Sequence, residues 1–154
     1  MRMGRVLALV ATALALLIGG LVLAVYLTRD EDNIQVDNIL SENFSKAVAL
    51  AEDPQEGTKG VVDLRQVASF FDWDSVLAVA PGVSRDSISN ALGRKWTGIV
   101  GVDAGELLIF LRGGDVVRFA NYRGTGHFAG LRPIQEIQRN DAVFRVRSLV
   151  VTLR

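Results

Sequence analysis

Glu106-Leu-Leu-Ile-Phe-Leu-Arg-Gly-Gly-Asp-Val-Val-Arg-Phe-Ala-Asn-Tyr122 reads as two β-strands folded about a two-residue turn. A primed hairpin turn needs positive φ at both central positions, which Gly113-Gly114 supplies without steric cost. In the simplest register Arg112 faces Asp115, Phe110 faces Val117 and Leu108 faces Phe119. The face bearing Leu108, Phe110, Val117 and Phe119 is then expected to be core. The opposite face, with Leu107, Ile109, Leu111, Val116 and Ala120, is also apolar except for Arg118, so a helix or a partner is expected to cover it.

Upstream of the hairpin, Ser75-Val-Leu-Ala-Val-Ala80 suits a buried strand, stopped by Pro81-Gly82. Ser84 fits a helix N-cap, with Asp86 in the first turn. Ile88, Ala91 and Leu92 share one face, and Gly93 is placed as a left-handed terminator. From Trp96 the period changes to two, predicting a strand through Val100 and Val102 that ends in an Asp103-Ala-Gly105 turn. Downstream, Arg123 to Arg132 is glycine-rich and irregular. Pro133 to Gln138 admits a helical turn or a strand and is read as extended, with Asn140-Asp141 suggesting a hairpin. Ala142 to Leu153 reads as one final strand, Phe144 and Val146 inward, Arg145 and Arg147 outward. Nearer the start, Ser41 fits an N-cap for a helix burying Leu40, Phe44, Ala47, Val48 and Ala51. Glu52 to Gly60 reads as a loop, and Asp63 as the cap of a short helix burying Leu64, Val67, Ala68 and Phe71. This order of elements predicts an α+β fold, short helices packed on an antiparallel meander.

Val6 to Leu27 is apolar and carries no charge. As a helix its twenty-two residues would reach about 33 Å, enough for a hydrocarbon core of about 30 Å. Arg2 and Arg5 precede it, while Arg29 is followed by Asp30, Glu31 and Asp32. The basic bias therefore predicts a cytoplasmic N-terminus and an extracytoplasmic remainder. The alternative is a signal peptide cleaved near Ala24, for which the apolar core is long. Ala11, Ala15 and Gly19 fall four apart, a spacing that lets membrane helices approach closely and that an alanine-rich segment also produces by chance. The expected organisation is a tail over 1–5, a transmembrane helix over 6–27, a spacer with a short amphipathic helix and loop over 28–60, and one domain over 61–154.

The chain of 154 residues has no cysteine, which excludes a disulfide framework, a thiolate metal site and a lipidated cysteine. The net charge is zero but divided: residues 34–93 hold nine acids against four bases, and residues 94–154 hold ten bases against five acids. Arginine greatly outnumbers lysine, a bias that a GC-rich genome produces. Among the arginines, Arg118, Arg145 and Arg147 are the candidate partner-binding residues, for an envelope protein, an anionic lipid or an acidic wall polymer. A solvated sheet face is the plainer account of them. An exported domain without an aromatic platform is not expected to bind nucleic acid.

Three constellations bear on catalysis. Gly124-Thr-Gly126-His-Phe-Ala129 has the letters of a dinucleotide turn, but an antiparallel hairpin precedes it and Pro133 would interrupt the helix that should hold the pyrophosphate. His127 is the only histidine, so no His-pair metal site can form within one chain. Asp72 and Asp74, if in a strand, would share a face about 6–7 Å apart, yet turn hydrogen bonding that seats Trp73 explains them as well. No cofactor and no enzymatic activity is expected. A hydrolase using His127 or Asp72/Asp74 remains the alternative of another class, and a secreted inhibitor or binding protein the alternative if the leader is cleaved.

The run Phe71-Asp-Trp-Asp-Ser-Val-Leu-Ala-Val-Ala-Pro81, followed by Ile88 to Leu92-Gly93, Trp96 and the Gly113-Gly114 hairpin, resembles a group of small uncharacterised bacterial membrane-anchored or secreted domains. More distantly, Gly82-Val-Ser-Arg-Asp-Ser-Ile-Ser-Asn-Ala-Leu-Gly93 with its meander is similar to BamE-type outer-membrane lipoproteins and β-lactamase inhibitory proteins. There a helix ending in Leu-Gly leads to a small antiparallel sheet. The lipidated cysteine of the former and the second repeat of the latter are missing, so the resemblance implies a fold and no function.

Overall fold

The computed structural model describes residues 36–52, 60–99 and 105–154. The predicted tail, the transmembrane run with its Ala11, Ala15 and Gly19, most of the 52–60 loop, and Val100 to Ala104 lie outside these. Among the described residues no helix is long and apolar enough to cross a membrane.

The fold is α+β, as the order of elements predicts, with the strands divided between two sheets instead of one meander. The elements are α1 (Asn38–Glu52), β1 (Val61–Asp63), α2 (Leu64–Val67), β2 (Ser75–Val79), α3 (Arg85–Leu92), β3 (Glu106–Arg112), β4 (Asp115–Tyr122), β5 (His127–Ala129), β6 (Ile134–Gln138), a 3-10 turn (Arg139–Asp141), β7 (Val143–Arg147) and β8 (Val150–Leu153). The first sheet has the order β4-β3-β2-β6 and is antiparallel throughout. The second has the order β1-β7-β8-β5 and ends in a parallel β5–β8 pair.

The Gly113-Gly114 turn forms with φ of +59° and +89°, the primed geometry. Arg112 faces Asp115, but the register then slips: Leu111 faces Val116, Phe110 faces Arg118 and Ile109 faces Phe119. Val117 is the extra residue of a bulge. One inserted residue sends the side chains beyond it to the opposite faces, so Phe119 leaves the Leu108/Phe110 side and Ala120 joins it. Both faces of the first sheet are covered. Val76, Ala78, Leu108, Phe110, Ala120 and Tyr122 pack with α1 and the inner face of the second sheet. Leu77, Val79, Leu107, Ile109 and Phe119 pack against Ile88 of α3 and Trp96. The helix expected over that second face is therefore α3.

Helix α1 buries Leu40, Phe44, Val48 and Ala51 as the spacing predicts. It belongs to the domain rather than to a spacer, since these residues enter the same core as Trp73 and Phe144 and the compact unit runs Ile34–Arg154. Its cap is Asp37, whose Oδ1 accepts from the Leu40 N–H at 2.9 Å, and not Ser41. Asp63 and Ser84 cap α2 and α3 as read, and Gly93 closes α3 at φ +66°. Ala91 is exposed, not inward.

Three further expectations are corrected. Trp96 belongs to no strand: it is buried in the turn after α3, its indole N–H donating to the Ile99 carbonyl at 3.0 Å. The 133–138 segment is extended, as read, but the following Asn140-Asp141 joins two different sheets through a 3-10 turn and makes no hairpin. The single final strand is a hairpin of β7 and β8 turning at Ser148 and Leu149, with φ of +49° and +60°. Nothing in Ser-Leu signals such a turn. It is held from outside, by the Glu52 carboxylate, which accepts from the N–H groups of Ser148 and Leu149 at 3.1 Å each.

Candidate functional site

Alternation along β7 buries Phe144 and Val146 and turns Arg145 and Arg147 outward, as the sequence predicts. Directly paired residues of neighbouring strands share a face, so the register extends this outward surface across the sheet. Arg145 lies between Val61 of β1 and Thr152 of β8. Arg147 faces Val150, which in turn faces His127 of β5. Two guanidiniums and the imidazole thus stand on one face, spaced by half-buried Val61, Val150 and Thr152. The acid on this face, Asp63, is engaged by Arg65, with Nε at 2.9 and 3.1 Å and Nη2 at 2.6 Å. Those hydrogen bonds hold its carboxyl below the usual range. Among the described residues neither Arg145 nor Arg147 is in an ion pair.

The presence of His127 on this face could not be read from sequence, because its strand is only three residues long. Several contacts order the glycine-rich segment before it. The Tyr122 hydroxyl donates to the Thr125 carbonyl, and the Thr125 N–H donates to Ser45 Oγ at 2.8 Å. Burial pushes the Tyr122 phenol up to about 12. The same geometry disposes of the dinucleotide turn: β5 follows Gly126, where the pyrophosphate would need a helix N-terminus.

The β1 edge of this sheet is a second feature. Gly60 O accepts from Val146 N–H at 2.8 Å and Leu64 N–H donates to Ala142 O at 2.9 Å. Residues 60, 62 and 64 are therefore the ones bonded toward β7. By antiparallel alternation the N–H and C=O groups of Val61 and the N–H of Asp63 point to the open side, while the Asp63 carbonyl, at the N-cap, is taken up by the first turn of α2. Beside them runs a groove of about 360 Å³, walled by Asn43, Lys46, Ala47 and Leu50 of α1 and by Gln66 and Val67 of α2.

Arg118 does not join Arg145 and Arg147. It lies on β4 of the other sheet, its Nη1 3.0 Å from Asp37 Oδ2 and its guanidinium 5.0 and 5.6 Å from the ring centres of Phe71 and Phe70. Asp37 is 7% exposed, so this arginine neutralises a buried carboxylate and clamps the start of α1. Asp37 is 81 residues away in the chain, and nothing local announces the pairing.

Asp72 and Asp74 do not form a carboxylate pair on a strand. Asp72 meets Arg112 at 3.3 Å, both well exposed, while Asp74 Oδ2 accepts from the Gly113 N–H at 2.7 Å and supports the hairpin turn. Between them Trp73 is buried, its indole N–H donating to the Ala68 carbonyl at 3.1 Å and its ring meeting Phe110 edge-on at 5.1 Å. The tryptophan is therefore seated by its own indole and not by local turn bonds of the two aspartates, whose carboxylates reach the β3–β4 hairpin instead. Among the described residues no three His, Cys, Asp or Glu side chains converge as a metal site would require.

Glu106 is an acid that sequence reading did not single out. It opens β3, is half-buried, and its Oε1 accepts from the Phe128 N–H at 3.2 Å. Burial raises its pKa above the ordinary carboxylate value. A raised folded pKa contributes stability below the unfolded value that is lost as pH rises through the folded one. Glu106→Gln keeps the acceptor and removes the charge. It is expected to be more stable than the wild type at neutral pH, with the difference shrinking as pH falls through the raised pKa and gone below the unfolded value of about 4.3. Urea midpoints measured across that range check this, and a gap independent of pH would mean that the charge is not the cause.

Comparison with protein-family models, with curated proteins and with solved structures finds no match for this chain, so the outward Arg145/Arg147/His127 face and the β1 edge are read on their own chemistry.

Proposed function

We propose that this protein is a non-enzymatic binding module, tethered through Val6 to Leu27 in a bacterial cytoplasmic membrane with its N-terminus cytoplasmic and its domain outside. The tether rests on the length of the apolar run and the basic residues before it. The domain takes an acidic segment of an envelope protein or polymer on the outer face of its second sheet. An extended partner can also pair with the β1 edge, where open backbone groups adjoin a groove. The observation that carries this reading is the contrast between the sheets: α3 and α1 cover the first on both sides, whereas the outward face of the second presents Arg145, Arg147 and His127.

The test is charge reversal. Arg145→Glu with Arg147→Glu, in chain that still folds, is expected to weaken capture of crosslinked envelope neighbours by about tenfold or more, because like charges juxtaposed across an interface cost several kcal/mol. Raised salt should weaken the wild type in the same direction. Capture that survives both would make the face a solvated surface and remove the reading.

A further inference from the structure

Of the six exposed large apolar side chains among the described residues, Leu50 lies on the β1 groove and Leu149 on the β7–β8 turn, while three gather in one place. Val36, Ile39 and Phe70 line one cleft of about 450 Å³ together with Asp37, Asn38 and Arg118. Ile39 is 64% and Phe70 47% exposed, and the exposed Val117 of the bulge adjoins Arg118 in the chain. Isolated surface hydrophobics need no explanation, but a cluster around a concavity marks a contact surface. Its place in the chain says which one. Val36 follows the last residue of the apolar run, Leu27, by nine residues, a tether that spans at most about 30 Å when fully extended. If that run crosses a bilayer, the cluster stays within that distance of the lipid surface.

The geometry points to the Val36/Ile39/Phe70 cluster as a lipid-contacting surface that seats the domain on the bilayer holding its own anchor; this rests on the membrane tether proposed above. The contact is apolar rather than electrostatic. Arg118, the cation of the cleft, is neutralised by Asp37 at 3.0 Å, and the tether itself carries Asp30, Glu31 and Asp32. Attraction to anionic headgroups is therefore not its source, and seating should hold on zwitterionic lipid and at high salt. Helix α1 supplies an internal control. Its fifteen residues place its far end about 20 Å away from the cluster, where Glu52 holds Ser148.

The chain has no cysteine, so single labels can be placed at will. The full chain, carrying a fluorophore at Ile39→Cys, Phe70→Cys or Ser148→Cys, is reconstituted in phosphatidylcholine vesicles containing headgroup spin-labelled lipid. Labels at 39 and 70 are expected to be strongly quenched and the label at 148 much less so, with no change in high salt. Three results would overturn the inference. Equal quenching at all three positions, in chain that resists alkaline extraction, would leave the tether intact and remove the seating. Crosslinking of positions 39 and 70 to a second copy, with no quenching, would assign the cleft to a protein contact. Release of the chain by alkali would remove the tether and the seating with it.

Discussion

Phe44→Ala in the Ile34–Arg154 unit is expected to lower the free energy of unfolding by about 3–5 kcal/mol, the range for emptying a buried aromatic site. Phe44 is 1% exposed and stands where the layers meet. It meets Tyr122 of β4 edge-on at 4.8 Å, stacks on Phe128 of β5 at 5.5 Å, and meets Phe144 of β7 edge-on at 6.1 Å. Its removal opens a cavity between α1 and both sheets at once. Three aromatic pairs are lost in addition to the buried area. The effect should reach the candidate site, because α1 carries one wall of the β1 groove and, through Glu52, the N–H groups of the β7–β8 turn. Urea unfolding followed by tryptophan emission checks it, with Phe44→Leu recovering most of the loss. A change below about 1 kcal/mol would mean that α1 is not integral to the core.

Asp37→Ala is expected to cost about 2–3 kcal/mol, from two interactions of one carboxylate. The loss of an N-cap is worth about 1 kcal/mol. Arg118 then loses its counter-charge, a cost well below that of a fully buried pair because its side chain is 44% exposed. Asp37→Asn separates the two, since asparagine still accepts from the Leu40 N–H but cannot neutralise the guanidinium. About half of the alanine effect is expected for it, by thermal or urea unfolding. If asparagine is as damaging as alanine, the charge dominates. If both are neutral, the clamp between α1 and β4 contributes nothing, and the Val36/Ile39/Phe70 cleft would lack its fixed floor.

Much of this architecture was legible because its causes are local. The Gly113-Gly114 turn, the Ser84 cap with Gly93 as terminator, the Asp63 cap, the apolar spacing of α1 and the alternation of Phe144 and Val146 each depend on residues within a few positions of one another. Backbone sterics and side-chain periodicity act over that range. The outward direction of Arg145 and Arg147 follows from the same alternation, and so was readable from the chain. What covers each face was not, because period-two patterning names two faces without naming their neighbours.

The tertiary structure alone decided the rest. The bulge at Val117, which carried Phe119 to the α3 side, is set by how β4 packs and not by its composition. The turn at Ser148 and Leu149 runs against local preference for negative φ and is held by Glu52, 96 residues earlier. Arg118 reads as one more basic residue until Asp37 is brought to it. The division of the strands into two sheets makes one of them closed on both faces and leaves Arg145, Arg147 and His127 outward on the other. By itself the sequence determined the short-range elements and the α+β class, since these are governed by neighbours in the chain. Register, caps made across the fold and the company each charge keeps were decided by contacts between segments tens of residues apart, whose energies no local pattern encodes.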